Sequence, residues 1–108
     1  MVKENSTIFY HVANPIFRKN ILARGLIPLA GESQKSIHTF YRKRIFLKNK
    51  NDYDSTWDDD RYEIKLPKDI IRKLRVDKEI KNSFYLDNIR INKKYIKLIH
   101  VGTGESTF

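Results

Sequence analysis

The feature that most constrains the fold is the stretch at residues 7–28, which reads TIFYHVANPIFRKNILARGLIP. Its first half is a run of β-branched and aromatic residues, which predicts a strand over residues 7–12. Asn14 then supplies an N-cap acceptor and Pro15 suits the first helical position, so we expect a short helix to begin there. Gly25, which readily adopts a left-handed conformation, is expected to end this helix. The chain therefore opens with a strand and a helix, and His11 lies near their joint.

The apolar face of this first helix is expected to consist of Phe17, Ile21 and Leu22. A second helix is predicted to begin at Pro67, with Asp69 in its first turn, where the helix dipole favours an acid. Three apolar runs and one alternating apolar–charged segment predict further strands: these are residues 45–47, 61–66, 83–86 and 94–101.

Because the strands and helices do not alternate as βαβ units, the predicted fold class is α+β, with a small, mostly antiparallel, bent sheet. The length of 108 residues supports a single domain with one core. Residues 1–5 and 102–108 are predicted to be loose ends, and residues 76–82 a charged turn or a frayed helix end.

The formal net charge of +9 favours polyanionic partners such as nucleic acid, nucleotides or an acidic protein. An abundance of solvated lysines with no partner explains the same charge. No apolar run reaches the roughly 20 residues of a membrane-spanning helix, and no signal-peptide core follows the first residues. We therefore expect a cytoplasmic protein without a membrane partner.

Several catalytic and metal-binding motifs are absent. The sequence has no cysteine, no Gly-rich phosphate loop, no nucleophile elbow and no HExxH motif. The histidines His11, His38 and His100 lack metal-ligand spacing, so a zinc site is not expected. The acidic run at residues 58–60 suggests either a divalent cation site or an acidic surface turn, and the surface turn is favoured because consecutive carboxylates point in different directions. Trp57, beside this run, is expected to anchor its loop in a core or lid role, which is favoured over base stacking.

His11 is the strongest candidate for a chemical role. A neutral imidazole can donate a hydrogen bond to a phosphate or ribose oxygen and accept one from a neighbour, and its pKa lies near working pH. The alternative is a core histidine hydrogen-bonded to the backbone. The residues alone leave both interpretations open.

Five short motifs, in order, resemble landmarks of the ADP-ribosyltransferase-like superfamily. The closest resemblance is to small RNA 2′-phosphotransferase-like proteins of bacteria and phages. The motifs are YH at residues 10–11, ILARGLIP at 21–28, IFL at 45–47, YEIKL at 62–66 and NSFYLDNI at 82–89.

The resemblance implies a split antiparallel sheet whose central cleft holds NAD, or another ADP-ribose-like phosphate ester, from which ADP-ribose is transferred. It implies that His11 is the catalytic residue and contacts the adenosine-side ribose or a phosphate. The strand at residues 45–48 forms a wall of the cleft, and a basic side chain approaches the phosphates. The implied cofactor-binding residues are Tyr10, His11, Arg42, Arg44, Lys48, Ser83 and Tyr85.

Three residues depart from the pattern of active superfamily members. Val12 and Ala13 follow His11 where active members usually have Gly and then Thr or Ser. Ser83 stands where transferases carry a catalytic glutamate, although the 2′-phosphotransferase branch does without one. These departures leave a second hypothesis: a non-catalytic basic module that binds nucleic acid or an acidic host protein.

Overall fold

The computed structural model describes residues 7–28, 44–51 and 57–106. Within these segments the chain forms one six-stranded antiparallel sheet, with two α-helices and two short 3-10 turns. The strands are β1 (Ile8–Ala13), β2 (Arg44–Lys48), β3 (Asp60–Lys65), β4 (Arg75–Val76), β5 (Ser83–Asp87) and β6 (Ile96–His100). The helices are α1 (Arg18–Arg24) and α2 (Lys68–Ile71), and the 3-10 turns are Pro15–Phe17 and Lys93–Tyr95.

The predicted α+β class, with a mostly antiparallel sheet and two short helices, is confirmed. The strand order is β4-β5-β2-β1-β3-β6, which places β2 and β1 at the centre. No helix in the described segments has the length and apolar composition that crossing a membrane requires.

The joint between β1 and α1 follows the predicted cap signals. Asn14 Oδ1 accepts a hydrogen bond from the backbone N–H of Ile16 at 2.9 Å. Gly25 ends α1 with φ at 85°, and a Cβ atom there would lie 2.1 Å from the carbonyl oxygen of Ile91. Glycine is required at this position both by its left-handed conformation and by this close approach.

The predicted apolar face of the first helix is wrong in part. Ile21 is buried, whereas Phe17 and Leu22 are 49% and 44% exposed. Phe17 ends a 3-10 turn, which has three residues per turn, so the 3.6-residue spacing does not carry it onto the buried side.

The core lies on one face of the sheet. Alternation along β3 buries Tyr62 and Ile64, and Phe9 of β1 joins them on the same face. Ile21 of α1 packs into this core, and Ile70 of α2 packs against it, so both helices cover that face. We call it the core face, and the opposite side of the sheet the open face.

The end of the chain differs from the predicted loose end. Gly102 is buried, and its N–H donates to Asp60 Oδ1 at 2.7 Å. The N–H of Gly104 donates to the carbonyl oxygen of Asp58 at 2.9 Å. Residues 102–106 are therefore attached to the start of β3, because the acidic run supplies acceptors that a tail's composition cannot reveal. Residues 1–5 and 107–108 lie outside the described residues.

Candidate functional site

The sheet opens between its two central strands. β1 and β3 pair over six residues, whereas β1 and β2 are in register only at Tyr10 and Lys48. Beyond that pair, His11 Nδ1 lies 2.8 Å from the backbone carbonyl oxygen of Phe46 on β2. The imidazole of His11 thus crosses the opening that further strand pairing would have closed.

This contact determines the chemistry of the His11 ring. A carbonyl oxygen can only accept, so Nδ1 carries the proton and the neutral ring leaves Nε2 as an acceptor. Burial lowers the pKa of His11 below its usual value, and the bond to Phe46 offsets this shift only in part. At neutral pH the ring is therefore uncharged. The backbone hydrogen bond expected of a core histidine is present. Nε2 is still an acceptor that can contact a ligand, as the other interpretation requires.

A cleft of about 1050 Å³ lies beside His11. Four other residues predicted for the site line it with His11: Arg44, Lys48, Ser83 and Tyr85. Tyr10 is not part of its lining, although its register partner Lys48 is. Arg42 lies outside the described residues. The fold thus brings together five of the seven predicted site residues, from β1, β2 and β5.

Arg44 is held in position within this cleft. Its Nε donates to Asp87 Oδ1 at 2.8 Å, and its guanidinium carbon lies 4.0 Å from the centroid of the Tyr85 ring. Arg75 Nε lies 3.9 Å from the other carboxylate oxygen of Asp87, so two guanidinium groups share one acid. Since a guanidinium has five N–H donors, Arg44 retains donors for an anionic ligand.

The turn before β5 is a part of the cleft that sequence reasoning missed. Asp77, Lys78 and Glu79 line the cleft together with the apolar Val76 and Ile80. Asp77 Oδ1 accepts from the N–H of Glu79 at 2.9 Å, the local bond that Asp makes in turns. The sequence predicted a charged turn over residues 76–82, but only the pairing of β4 with β5 brings its carboxylates to the cleft.

The acidic run at residues 58–60 is not the predicted surface turn. Asp60 is fully buried and accepts from Arg18 through two bonds, of 2.7 and 2.8 Å. The hydroxyl of Tyr62 adds a third bond at 3.3 Å, beside the one from Gly102. These contacts, led by Arg18, hold the pKa of Asp60 below its usual value, and burial raises the pKa of Tyr62 to about 12.

The neighbouring Asp58 is also engaged. Its Oδ1 lies 2.7 Å from His100 Nε2, and its Oδ2 accepts from the N–H of Thr103 at 3.1 Å. No group of three His, Cys, Asp or Glu side chains that could hold a metal ion occurs in the described ranges. Trp57, which was expected to anchor this loop in a core or lid role, is 54% exposed and so does not lie in the core. The acidic run joins β3 to α1 and to the chain end.

A second cleft, of about 600 Å³, lies between the end of β1 and α1. Its walls include the apolar Phe17, Ile21 and Leu26, and Arg24 is the charged residue among its described lining. His11 lines this cleft as well as the larger one. The histidine therefore borders both a largely apolar cleft and a charged one.

No protein-family model, no curated protein and no solved structure matches this chain. The site must therefore be interpreted from its own geometry.

Proposed function

We propose that this protein binds a ribose-containing phosphate ester, of the NAD or ADP-ribose type, in the larger cleft beside His11. The observation that carries the proposal is the position of His11. Its ring crosses the opening between β1 and β2, with Arg44 and Lys48 lining the same cleft. An uncharged acceptor beside two cations suits a ligand that carries both hydroxyl groups and phosphates.

The donor set suggests a role for each group. Nε2 of His11 would accept from a ribose hydroxyl, because an ionised phosphate oxygen has no proton to donate to it. Arg44 and Lys48 would pair with the phosphates, the arginine in the bidentate manner that its planar fork allows. The cleft of about 1050 Å³ is large enough for a dinucleotide.

The proposed function is binding of the nucleotide, and transfer of ADP-ribose is a separate step. Transfer of ADP-ribose would need a carboxylate to activate the acceptor, and Ser83 cannot supply one. Among the described residues that line the cleft, the carboxylates are Asp77 and Glu79. If purified protein consumes NAD, Glu79→Gln should lower the rate while leaving the affinity for ADP-ribose unchanged; unchanged turnover would exclude Glu79 from the reaction.

Isothermal titration calorimetry with ADP-ribose and with NAD tests the binding. The informative variant is His11→Asn, because an asparagine amide can keep a donor near the Phe46 carbonyl but lacks the Nε2 acceptor. We expect about tenfold weaker binding than wild type at the same thermal stability. His100→Asn, which alters a histidine outside both clefts, serves as the matched control. No binding by the wild type, or equal affinity in His11→Asn, would contradict the proposal.

A further inference from the structure

We infer that the open face of the sheet is a binding surface for single-stranded nucleic acid. The face is defined by strand register. Residues directly opposite one another in neighbouring strands share a face, and residues alternate along each strand. Tyr10 pairs with both Lys48 and Glu63, which places all three opposite the core face that carries Phe9 and Ile64.

The charged side chains of the sheet are concentrated on this face. Six cations lie there by register, against two carboxylates, Glu63 and Asp87, which leaves a formal charge of +4. The cations are Arg44, Lys48, Arg61, Lys65, Arg75 and Lys97. Such a field attracts polyanions, and this face carries four of the nine net positive charges of the chain.

Aromatic rings lie among these cations. Phe46 on β2 is directly opposite Tyr85 on β5, their ring centroids are 6.0 Å apart, and Phe46 is 48% exposed. Arg44 stacks on the Tyr85 ring, and Tyr10 lies on the same face. Nucleobases stack on aromatic rings and on guanidinium planes, whereas the carboxylates of an acidic polypeptide have no ring that could stack there. The combination of rings and cations therefore favours nucleic acid over an acidic protein.

The shape favours a single strand over a duplex. A six-stranded face is wider than the roughly 12 Å major groove of B-DNA, and rings stack most readily on bases that are unpaired. Six strands separated by five gaps of about 4.8 Å give a face about 24 Å wide. That width suits a short segment, near the lower end of the roughly 4 to 16 nucleotides that single-strand-binding domains cover.

This inference does not depend on the proposed function, and the chain offers variants that separate the two. Lys65 and Lys97 belong to the open face but not to the lining of either cleft. His11 lines both clefts but lies on the core side of β1, in register with the buried Tyr62. Lysine variants therefore test the face, and His11→Asn tests the nucleotide site.

The experiment is fluorescence anisotropy with labelled 12-nucleotide U and dT oligomers at about 50 and 200 mM salt. We expect the Lys65→Glu/Lys97→Glu variant to bind at least tenfold more weakly than wild type, with a shallower dependence on salt. The matched control is Lys19→Glu/Lys73→Glu, which lowers the net charge from +9 to the same +5 at exposed positions off the sheet. An equal loss in both variants, or no wild-type binding at low salt, would overturn the inference.

A second pair of variants tests base stacking. Phe46→Ala should weaken binding at least fivefold, while Phe46→Trp should retain affinity and show fluorescence quenching when the oligomer binds. Competition with polyglutamate measures the contribution of charge alone. If Phe46→Ala binds as wild type does and polyglutamate competes as well as the oligomer, the face is a general polyanion or acidic-protein surface and the inference fails.

Discussion

At the scale of single residues, Asp60 is the point at which three segments of the chain meet. Arg18 at the start of α1, Tyr62 on β3 and Gly102 beyond β6 all donate to its carboxylate. A buried carboxylate is costly unless its oxygens are satisfied, and here four hydrogen bonds satisfy them. Arg18 directly follows the 3-10 turn that leaves β1. Its bonds to Asp60 therefore also hold the joint between β1 and α1, near His11.

Asp60→Asn should therefore destabilise the fold. Asparagine keeps the size of the side chain but loses the charge that binds Arg18 and turns one acceptor into a donor. We expect the melting temperature at pH 7 to fall by roughly 5 to 10 °C. Asp69→Asn, at an exposed position in α2, is the control and should change it by little.

Wild type and Asp60→Asn should also differ in how their stability depends on pH. The folded pKa of Asp60 is lowered, so its contribution to stability is present above its ordinary pKa of about 3.9 and is lost as pH falls below that value. Lowering the pH from 7 to 3 should therefore reduce the free energy of unfolding of wild type more than that of Asp60→Asn, as measured by urea unfolding. Parallel pH profiles would show that Asp60 is not the linked group.

His11 gives a prediction in a different pH range. Its folded pKa lies below the ordinary value of about 6.5, so the unfolded chain binds more protons as the solution becomes acidic. The contribution of His11 to the free energy of unfolding is complete above pH 6.5 and declines below it. Wild type should thus lose more stability than His11→Asn between pH 7.5 and 5.5 in urea titrations. An equal loss in both proteins would contradict the assigned shift.

At the scale of elements, the segment after β6 acts as a strap across the start of β3. A Cβ atom at Gly102 would lie 2.2 Å from the carbonyl oxygen of Asp58, so this backbone approach admits only glycine. The Gly102 carbonyl also accepts from Arg18 at 3.1 Å. The strap therefore contacts both members of the Arg18–Asp60 pair.

Truncation after Val101 should lower the melting temperature measurably, because it removes the Gly102 donor and acceptor from a buried charge pair. Gly102→Ala should act in the same direction by forcing the strap away from Asp58. Truncation after Ser106 keeps every described contact of the strap and is the control. If all three proteins have the melting temperature of wild type, the end of the chain contributes nothing to stability.

At the scale of the whole molecule, the proposed nucleotide cleft and the proposed nucleic-acid surface overlap. Arg44, Lys48, Phe46 and Tyr85 line the cleft and also lie on the open face. Two ligands that need the same side chains must weaken each other, and by thermodynamic linkage each must lower the affinity of the other by the same factor.

Saturating ADP-ribose should therefore weaken oligonucleotide binding, measured by anisotropy, and the oligonucleotide should weaken ADP-ribose binding by an equal factor in calorimetry. In His11→Asn the effect of a fixed ADP-ribose concentration should shrink, since less of the nucleotide is bound. Independent binding of the two ligands would mean that they use different groups.

The sequence by itself determined the local elements. Asn14, Pro15 and Gly25 mark the limits of the first helical segment because capping and left-handed turns act over a few residues of backbone. The alternation in residues 61–66 identified a strand with one buried face, and the α+β class followed from the order of such elements. The sequence also marked His11 as a site candidate through its own chemistry, and Arg44, Lys48, Ser83 and Tyr85 through a resemblance.

Only the tertiary structure decided what those residues do together. His11 meets Phe46 across 35 residues of chain, and Arg18 meets Asp60 across 42. The carboxylates of Asp77 and Glu79 reach the cleft because β4 pairs with β5. Strand register and the buried ion pair depend on packing of the whole core, and no short stretch of sequence contains that information. Tertiary packing therefore turned the acidic run from an expected surface turn into a buried anchor, and scattered lysines and arginines into one charged face.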